Sequence, residues 1–434
     1  MDATVIFLTL LALLFGLLAS GVWVAFTLIG VATVATLAFT NRPVADAMAT
    51  SIWGGMTSWS LTALPLFIWM GEILFRTRLT KDMFRALAPW VGPIPGRLLH
   101  VNVAGCTVFA AVSGSSAATC ATIGRITLKE LESRGYPDRL SIGSLAGAGT
   151  IGLLIPPSIM MIVYGVAADV SITELFIAGV IPGLLLAALF SAYIVLWALL
   201  HPGEVPAPDP GIRFADKVRA LLGLLPIASL IVAVLGSIYF GIATATEAAA
   251  LGVVAALALA ALQGQLTTEA FVAGVAGAVH TTAMITLILA GSSFLTLAMG
   301  YTGLPRGLAQ WVTSLELSTL GFLVALSLLF IVLGCFLDGI SMVVLTLSVL
   351  LPAIKAAGID LLWFGIFVIL LVEMAQITPP VGFNLFVIQG LTGRSIGYVA
   401  ACALPFFFVM IVAVAAITLF PELVTWLPSQ IRRT

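Results

Sequence analysis

Two proline pairs, each inside a long apolar run, set the strongest limit on how this chain folds. Ile155-Pro156-Pro157-Ser158 interrupts one run and Thr378-Pro379-Pro380-Val381 interrupts another. A separate Gly/Ser/Thr-containing apolar segment precedes each pair, 113–124 in the first half and 334–348 in the second. Proline inside a helix removes a hydrogen bond and clashes with the preceding turn. In lipid such a break is tolerated only where protein or a water-filled cavity re-satisfies the freed backbone groups. Matching broken helices in two halves of a chain are a sequence mark of a solute- or ion-binding site within the membrane.

The composition agrees with a membrane setting. Of 434 residues, 61% are hydrophobic and 9% charged, against about 25% charged in a soluble domain. With roughly 20 apolar residues per spanning helix, there is room for about a dozen segments, some short or broken. Net charge is −1 with no basic tract, which gives no footing for nucleic acid. Met1-Asp2-Ala3-Thr4 lacks the positive region of a cleavable signal peptide, so the first apolar run reads as a permanent span. Cys106, Cys120, Cys335 and Cys402 lie in apolar runs without a CxxC pair and read as buried small hydrophobes.

Apolar runs fall near 3–20, 22–40, 52–75, 98–124, 141–168, 174–200, 220–241, 243–262, 270–299, 318–352, 361–390 and 397–421. The polar stretch 201–219 holds Pro202, Pro206, Pro208 and Pro210 and then Arg213, Lys217 and Arg219, the composition of a solvated linker. It divides the chain into 1–200 and 220–427. Each part carries, in the same order, scaffold spans and a short amphipathic stretch (76–97; 301–317). A segment long enough to double back follows (about 98–124; about 320–352), then a Pro-Pro-broken span (about 141–168; about 361–390) and a final span. If the two parts are inverted repeats, most Lys and Arg fall on 76–97, 125–140, 201–219 and 391–396, as the positive-inside rule asks of cytoplasmic stretches. Arg432-Arg433 argues the other way.

Residues 113–124, SGSSAATCATIG, combine small residues with hydroxyls. They suit either close helix packing or, at an unwound tip, coordination of a hard cation by carbonyl and hydroxyl oxygens, with helix N-termini favouring an anion. Glycines 147, 149 and 152 let the chain leave helical geometry just ahead of the first proline pair. Asp338, Glu373 and Asn384 are polar groups deep in apolar runs. Such groups face a cavity or a partner, so they are either functional residues or structural contacts between helices. Glu247 reads as an acid at a helix start, and Asp169 as a loop residue. His100, His201 and His280 show no metal spacing. No GxxxxGK[ST] loop, Ser/His/Asp set or paired-carboxylate site occurs, so the chain is not expected to be an enzyme.

GSSAATCATIGR, RGYPDRLSIGSLAGAGTIGLLIPPSIMMIVYG, SITELFIAGVIPG, ATEAAALG and ITPPVGFNLFV together resemble the large membrane (M) subunit of tripartite ATP-independent periplasmic (TRAP) transporters. The likeness runs from about Pro65 to about 427. It implies an all-α polytopic membrane protein of the ion transporter superfamily, with two inverted repeats. Each repeat would hold a re-entrant helical hairpin and a Pro-Pro-broken helix, and the transport domain would move as an elevator. It further implies Na⁺ as coupling ion, no cofactor and an organic anion, usually a carboxylate, as solute. The implied partners are a periplasmic substrate-binding protein and a small four-helix membrane subunit, and the implied location is the inner membrane of a bacterium or archaeon.

Carried over by matching motif, the resemblance implies one sodium site at Ser113, Ser116, Gly152, Ile155 and Pro157. A second would be formed by Gly334, Ala375, Thr378 and Val381. Ala375 stands where the family usually has Gly, and Lys129 where many relatives have Pro. Substrate contacts are expected from Ser115, Ser116, Thr119, Pro157, Ser158, Pro380 and Asn384. Arg125 reads equally as a carboxylate partner and as a cytoplasmic anchor. A stand-alone Na⁺/carboxylate symporter of the same superfamily is the alternative, with a channel or an intramembrane enzyme using Asp338 or Glu373 behind it.

Overall fold

The computed structural model describes residues 3–207, 213–314, 318–380 and 382–431. Val381, Pro208, Pro210 and Arg432-Arg433, which bear on the expectations above, lie outside the described residues. All regular structure among the described residues is helical. Six helices are long and apolar enough to cross a bilayer: Ile172–Leu200, Phe214–Tyr239, Ala245–Leu262, Thr268–Thr302, Gly339–Ala356 and Ile396–Leu419. Their outward side chains are greasy, as lipid-facing surfaces must be. Leu262 is 85% exposed and Val232 69%.

The expected third span, 52–75, is a bent pair. Val44–Met56 and Trp59–Phe75 meet at 57°, and the polar run Thr57-Ser58 lies at the bend. The expected linker 201–219 ends early. A helix begins at Phe214 and runs on to Tyr239, because Pro226 falls in the first turn of the Leu225–Tyr239 helix, where no amide donor is needed. Its start is pinned to the amphipathic helix Leu79–Val91. Trp90 Nε1 donates to Lys217 O at 3.2 Å, and the Trp90 and Phe214 rings pack edge to face at 6.1 Å. Arg394 likewise pairs with Asp138 at 2.9 Å. So 76–97 touches 201–219, and 125–140 touches 391–396.

Each half contains two helices that pack on each other across a tip, the first of each pair short. In the first half they are Leu99–Ser113 and Ser116–Ser133, and in the second Thr319–Gly334 and Gly339–Ala356. Leu99–Ser113 has 15 residues and Thr319–Gly334 has 16. At about 1.5 Å per residue neither reaches the roughly 30 Å of a hydrocarbon core. Each half then carries a broken span. Asp138–Thr150 passes through a 3₁₀ turn, Ile151–Leu153, to Ile159–Ala168. Leu361–Gln376 passes through the second break to Phe383–Thr392.

The broken spans form the centre of the molecule. Every residue from Leu362 to Ala375 is buried, and so is every residue from Leu140 to Thr150. A helix that is apolar all round has to be enclosed all round. The halves are laced together there. Leu361–Gln376 packs against Ile159–Ala168 and Ile172–Leu200, and Phe383–Thr392 packs against Ser116–Ser133. Tyr164 OH donates to Leu361 O at 2.7 Å across that seam.

Candidate functional site

Both proline pairs interrupt their helices, and both Pro–Pro peptide bonds are cis. The consequence for main-chain oxygens follows from helix bonding. In a continuous helix the carbonyl of residue i accepts from the N–H of residue i+4. Pro156 and Pro157 have no N–H, so the Gly152 and Leu153 carbonyls lose their donor partners. Pro379 and Pro380 do the same to Ala375 and Gln376. The two vacancies at the first proline of each pair are thus Gly152 and Ala375, equivalent positions in the two breaks.

Local bonding closes some of these gaps. Ser158 donates to Leu153 O at 2.5 Å and accepts from Met161 N at 3.3 Å, so its hydroxyl shuts the first break and caps the helix that follows. Thr378 N donates to Ala375 O at 3.2 Å, and Gly382 N to Thr378 O at 3.0 Å. The Thr378 hydroxyl is turned back onto Met374 O at 2.7 Å.

A tip is docked on each break. In the first half Ser113 ends its helix. Gly114 turns left-handed at φ 60° and bonds back to Ala110 O, a conformation only glycine takes without strain. Ser115 caps the next helix, accepting from Ala118 N at 3.4 Å. The Ser113 and Thr119 hydroxyls lie 2.6 Å apart. Ile159 N donates to Gly114 O at 3.2 Å, tying tip to break. A Cβ at Gly152 would lie 2.7 Å from Ser115 O and 2.8 Å from Thr119 Oγ1. The structure therefore brings Ser113, Ser115, Thr119, Gly152 and Pro157 together, with Ser116 and Ile155 buried in the same region.

The second tip, Cys335–Asp338, repeats the arrangement with other atoms. Cys335 Sγ donates to Pro379 O at 3.3 Å. A Cβ at Gly334 would lie 2.1 Å from the Ala375 Cβ, so the Ala375 methyl fills the groove over Gly334. The two breaks differ in cover. Residues 151–160 are all buried, whereas Pro379 and Pro380 are exposed and Thr378 is half-buried.

Several sequence expectations change. Asp338 is exposed rather than deep and caps the Gly339–Ala356 helix, accepting from Ile340 N at 3.1 Å, Ser341 N at 3.2 Å and the Ser341 hydroxyl. A carboxylate one residue ahead of a helix serves the unpaired amides there. Cys335 is half-buried at the second tip, unlike the three fully enclosed cysteines. Its place next to Gly334 was the only sequence signal of that role. Glu247 forms a capping box with Thr244, as expected of an acid at a helix start. His100 is enclosed and bonded to Pro95 O at 2.7 Å, and His201 stacks on Trp197.

Two candidates keep an unexplained polarity. Asn384 is fully buried with neither amide atom paired, and Glu373 is fully buried with neither carboxylate oxygen in a hydrogen bond. Buried polar atoms of this kind are rare and point to something that completes them. No group of three His, Cys, Asp or Glu side chains that could hold a metal occurs among the described residues. Any ion held at the breaks would rest mainly on main-chain and hydroxyl oxygens.

The family model described as "Tripartite ATP-independent periplasmic transporter, DctM component" matches residues 11–423. The chain belongs to this TRAP transporter family. It is 34% identical over 376 residues to the C4-dicarboxylate TRAP transporter large permease protein of Pseudomonas aeruginosa, covering 86% of each chain. It is 31% identical over 419 residues to the sialic acid TRAP transporter large permease protein of Vibrio cholerae, covering 95% of this chain and 96% of that one. The ectoine TRAP transporter large permease protein of Halomonas elongata is 31% identical over 88% of this chain and 89% of its own. In fold, this TRAP permease resembles the solved YdaH transporter of Alcanivorax borkumensis, with a TM-score of 0.62 at 14% identity over 93% of this chain and 96% of that one. As a member of the family it is a multi-pass membrane transport protein and not an enzyme.

Proposed function

We propose that this TRAP permease couples sodium entry to uptake of an organic anion, of the carboxylate class, across a bacterial or archaeal inner membrane. A periplasmic substrate-binding protein delivers the anion, and a small four-helix membrane subunit completes the permease. One sodium ion would rest on Ser113, Ser116, Gly152, Ile155 and Pro157, and another on Gly334, Ala375, Thr378 and Val381. The anion would lie between tips and breaks, against Ser115, Ser116, Thr119, Pro157, Ser158, Pro380 and Asn384. Repeats 1–200 and 220–427, joined by the cytoplasmic linker, would be inverted. The two tips and broken spans would travel together as an elevator.

The observation that carries this reading is the Gly152 carbonyl, stripped of its helical donor and roofed by the tip of its own half, with Ala375, whose carbonyl has exchanged its helical donor for Thr378 N, at the matching place under the second tip. Unwound main-chain oxygens of this kind suit Na⁺, and nearby helix N-termini suit an anion. The Asn384 amide, buried with neither polar atom paired, is free to bond such a solute.

Reconstitution into liposomes tests it. Uptake of the receptor-bound anion is expected only with inward-directed Na⁺ and with the soluble receptor present. Uptake without any receptor would favour the stand-alone symporter, and non-saturating flux would favour a channel. Replacing Ser116 or Thr378 by Leu is expected to remove Na⁺ stimulation while the protein still purifies as a folded monodisperse species. Unaltered Na⁺ dependence in both variants would show the ion positions to be misassigned.

A further inference from the structure

Glu373 lies three residues before the end of the Leu361–Gln376 helix, in the second half, yet it serves the first half's break. The helix packs directly on the Ile151–Leu153 turn. The Glu373 carboxyl faces the backbone N–H of Leu154, the residue between Gly152 and Ile155. That N–H already donates to Ile151 O at 3.0 Å, and neither carboxylate oxygen makes a hydrogen bond of normal geometry. The far side of the turn is sealed, since a Cβ at Gly179 would lie 2.6 Å from Leu154 O. The carboxyl is thus shut in against the first break, faced only by a backbone N–H that is already engaged by Ile151 O.

Burying a carboxylate is tolerated when a cation or a full set of donors sits beside it. The donors are missing here, and the adjoining turn carries the Gly152 carbonyl that has lost its helical partner. We infer that Glu373 supplies the counter-charge for a monovalent cation held at the first break, from the opposite half of the chain. This rests on the sodium reading above and adds to it a residue outside the coordinating set. Glu373 is a positioning and electrostatic residue, acting on the ion without sharing its coordination shell. It also links the breaks, because the same helix continues two residues later into Ala375.

The size of the effect follows from Coulomb's law. At an effective dielectric of about 20, unit charges roughly 6–10 Å apart change a binding constant by about ten- to a hundredfold. The test is ²²Na⁺ binding to the purified full-length permease, with choline holding ionic strength constant, read by scintillation proximity and without transport. Glu373→Gln keeps the shape and removes the charge. It is expected to weaken Na⁺ binding by at least about tenfold, with its sodium-free melting temperature held or raised. Glu373→Asp keeps the charge and is expected to retain most of the affinity. Equal losses in the Asp and Gln variants would overturn the inference, since packing rather than charge would then set affinity. Wild-type affinity in Glu373→Gln would overturn it too, while leaving the sodium reading intact. Failure of the unmutated permease to bind ²²Na⁺ at all would overturn that reading and, with it, the inference.

Discussion

Gly152→Ala is expected to abolish Na⁺-dependent uptake and to lower the melting temperature. The added carbon would sit 2.7 Å from Ser115 O, 2.8 Å from Ser115 C and 2.8 Å from Thr119 Oγ1. Two of these are backbone atoms, so no rotamer change relieves the contact. Either the tip lifts, breaking the Ile159 N to Gly114 O bond, or the 3₁₀ turn shifts and moves the Gly152 carbonyl. Overpacking of this kind costs about 1–3 kcal/mol. If the strain falls on the ion-loaded arrangement, the apparent Na⁺ affinity drops by roughly ten- to a hundredfold, at about 1.4 kcal/mol per tenfold. Uptake measured against Na⁺ concentration, alongside thermal unfolding, reads both effects. An unchanged half-saturating Na⁺ concentration in Gly152→Ala would mean that the tip does not rest on the break during transport.

The second large effect concerns the other half and includes its own rescue. Gly334→Ala alone is expected to inactivate, because its Cβ would lie 2.1 Å from that of Ala375. Ala375→Gly alone removes one methyl and should cost little. The double variant Gly334→Ala/Ala375→Gly moves the methyl from one wall of the groove to the other, keeping total volume, the kind of change packed cores tolerate best. Its uptake should return toward wild type, with a coupling energy of about 1–3 kcal/mol in a double-mutant cycle. Should the double variant be as impaired as Gly334→Ala, the groove contact between second tip and second break would not hold in the working protein. The same experiment explains how the chain carries Ala at 375: the methyl uses space that a glycine across the groove leaves open.

Much of this architecture could be read from residue order. Pro156-Pro157 and Pro379-Pro380 fix where the central spans stop, since a paired loss of donors leaves a helix no way to continue. The stretch 320–352 holds the helices Thr319–Gly334 and Gly339–Ala356, and the stretch 361–390 holds Leu361–Gln376 and Phe383–Thr392. What could not be read is which way a polar group faces. Asp338 and Glu373 look alike as acids inside apolar runs. Asp338 turns out to close a helix start at the surface, whereas Glu373 is enclosed by helices far apart in sequence. Only the packing of Leu361–Gln376 against Ile151–Leu153 separates the two roles, and that contact leaves no mark on either segment alone. Cys335 was misread for a related reason: an apolar neighbourhood along the chain says nothing about a tip that juts out from it. The early helix at Phe214 was hidden by Arg213, Lys217 and Arg219, whose charges suggest a loop but sit comfortably on an amphipathic turn.

The unequal cover of the two breaks has a kinetic meaning. One berth is walled on every side from residue 151 to residue 160, while its counterpart leaves both prolines open at the surface. If both breaks hold ions as proposed, one at the outer berth would come and go without rearrangement, while one at the inner berth would wait for the Ile159 N to Gly114 O bond to break. Arrivals and departures would then run on two different clocks, and the slower clock belongs to the first half of the chain.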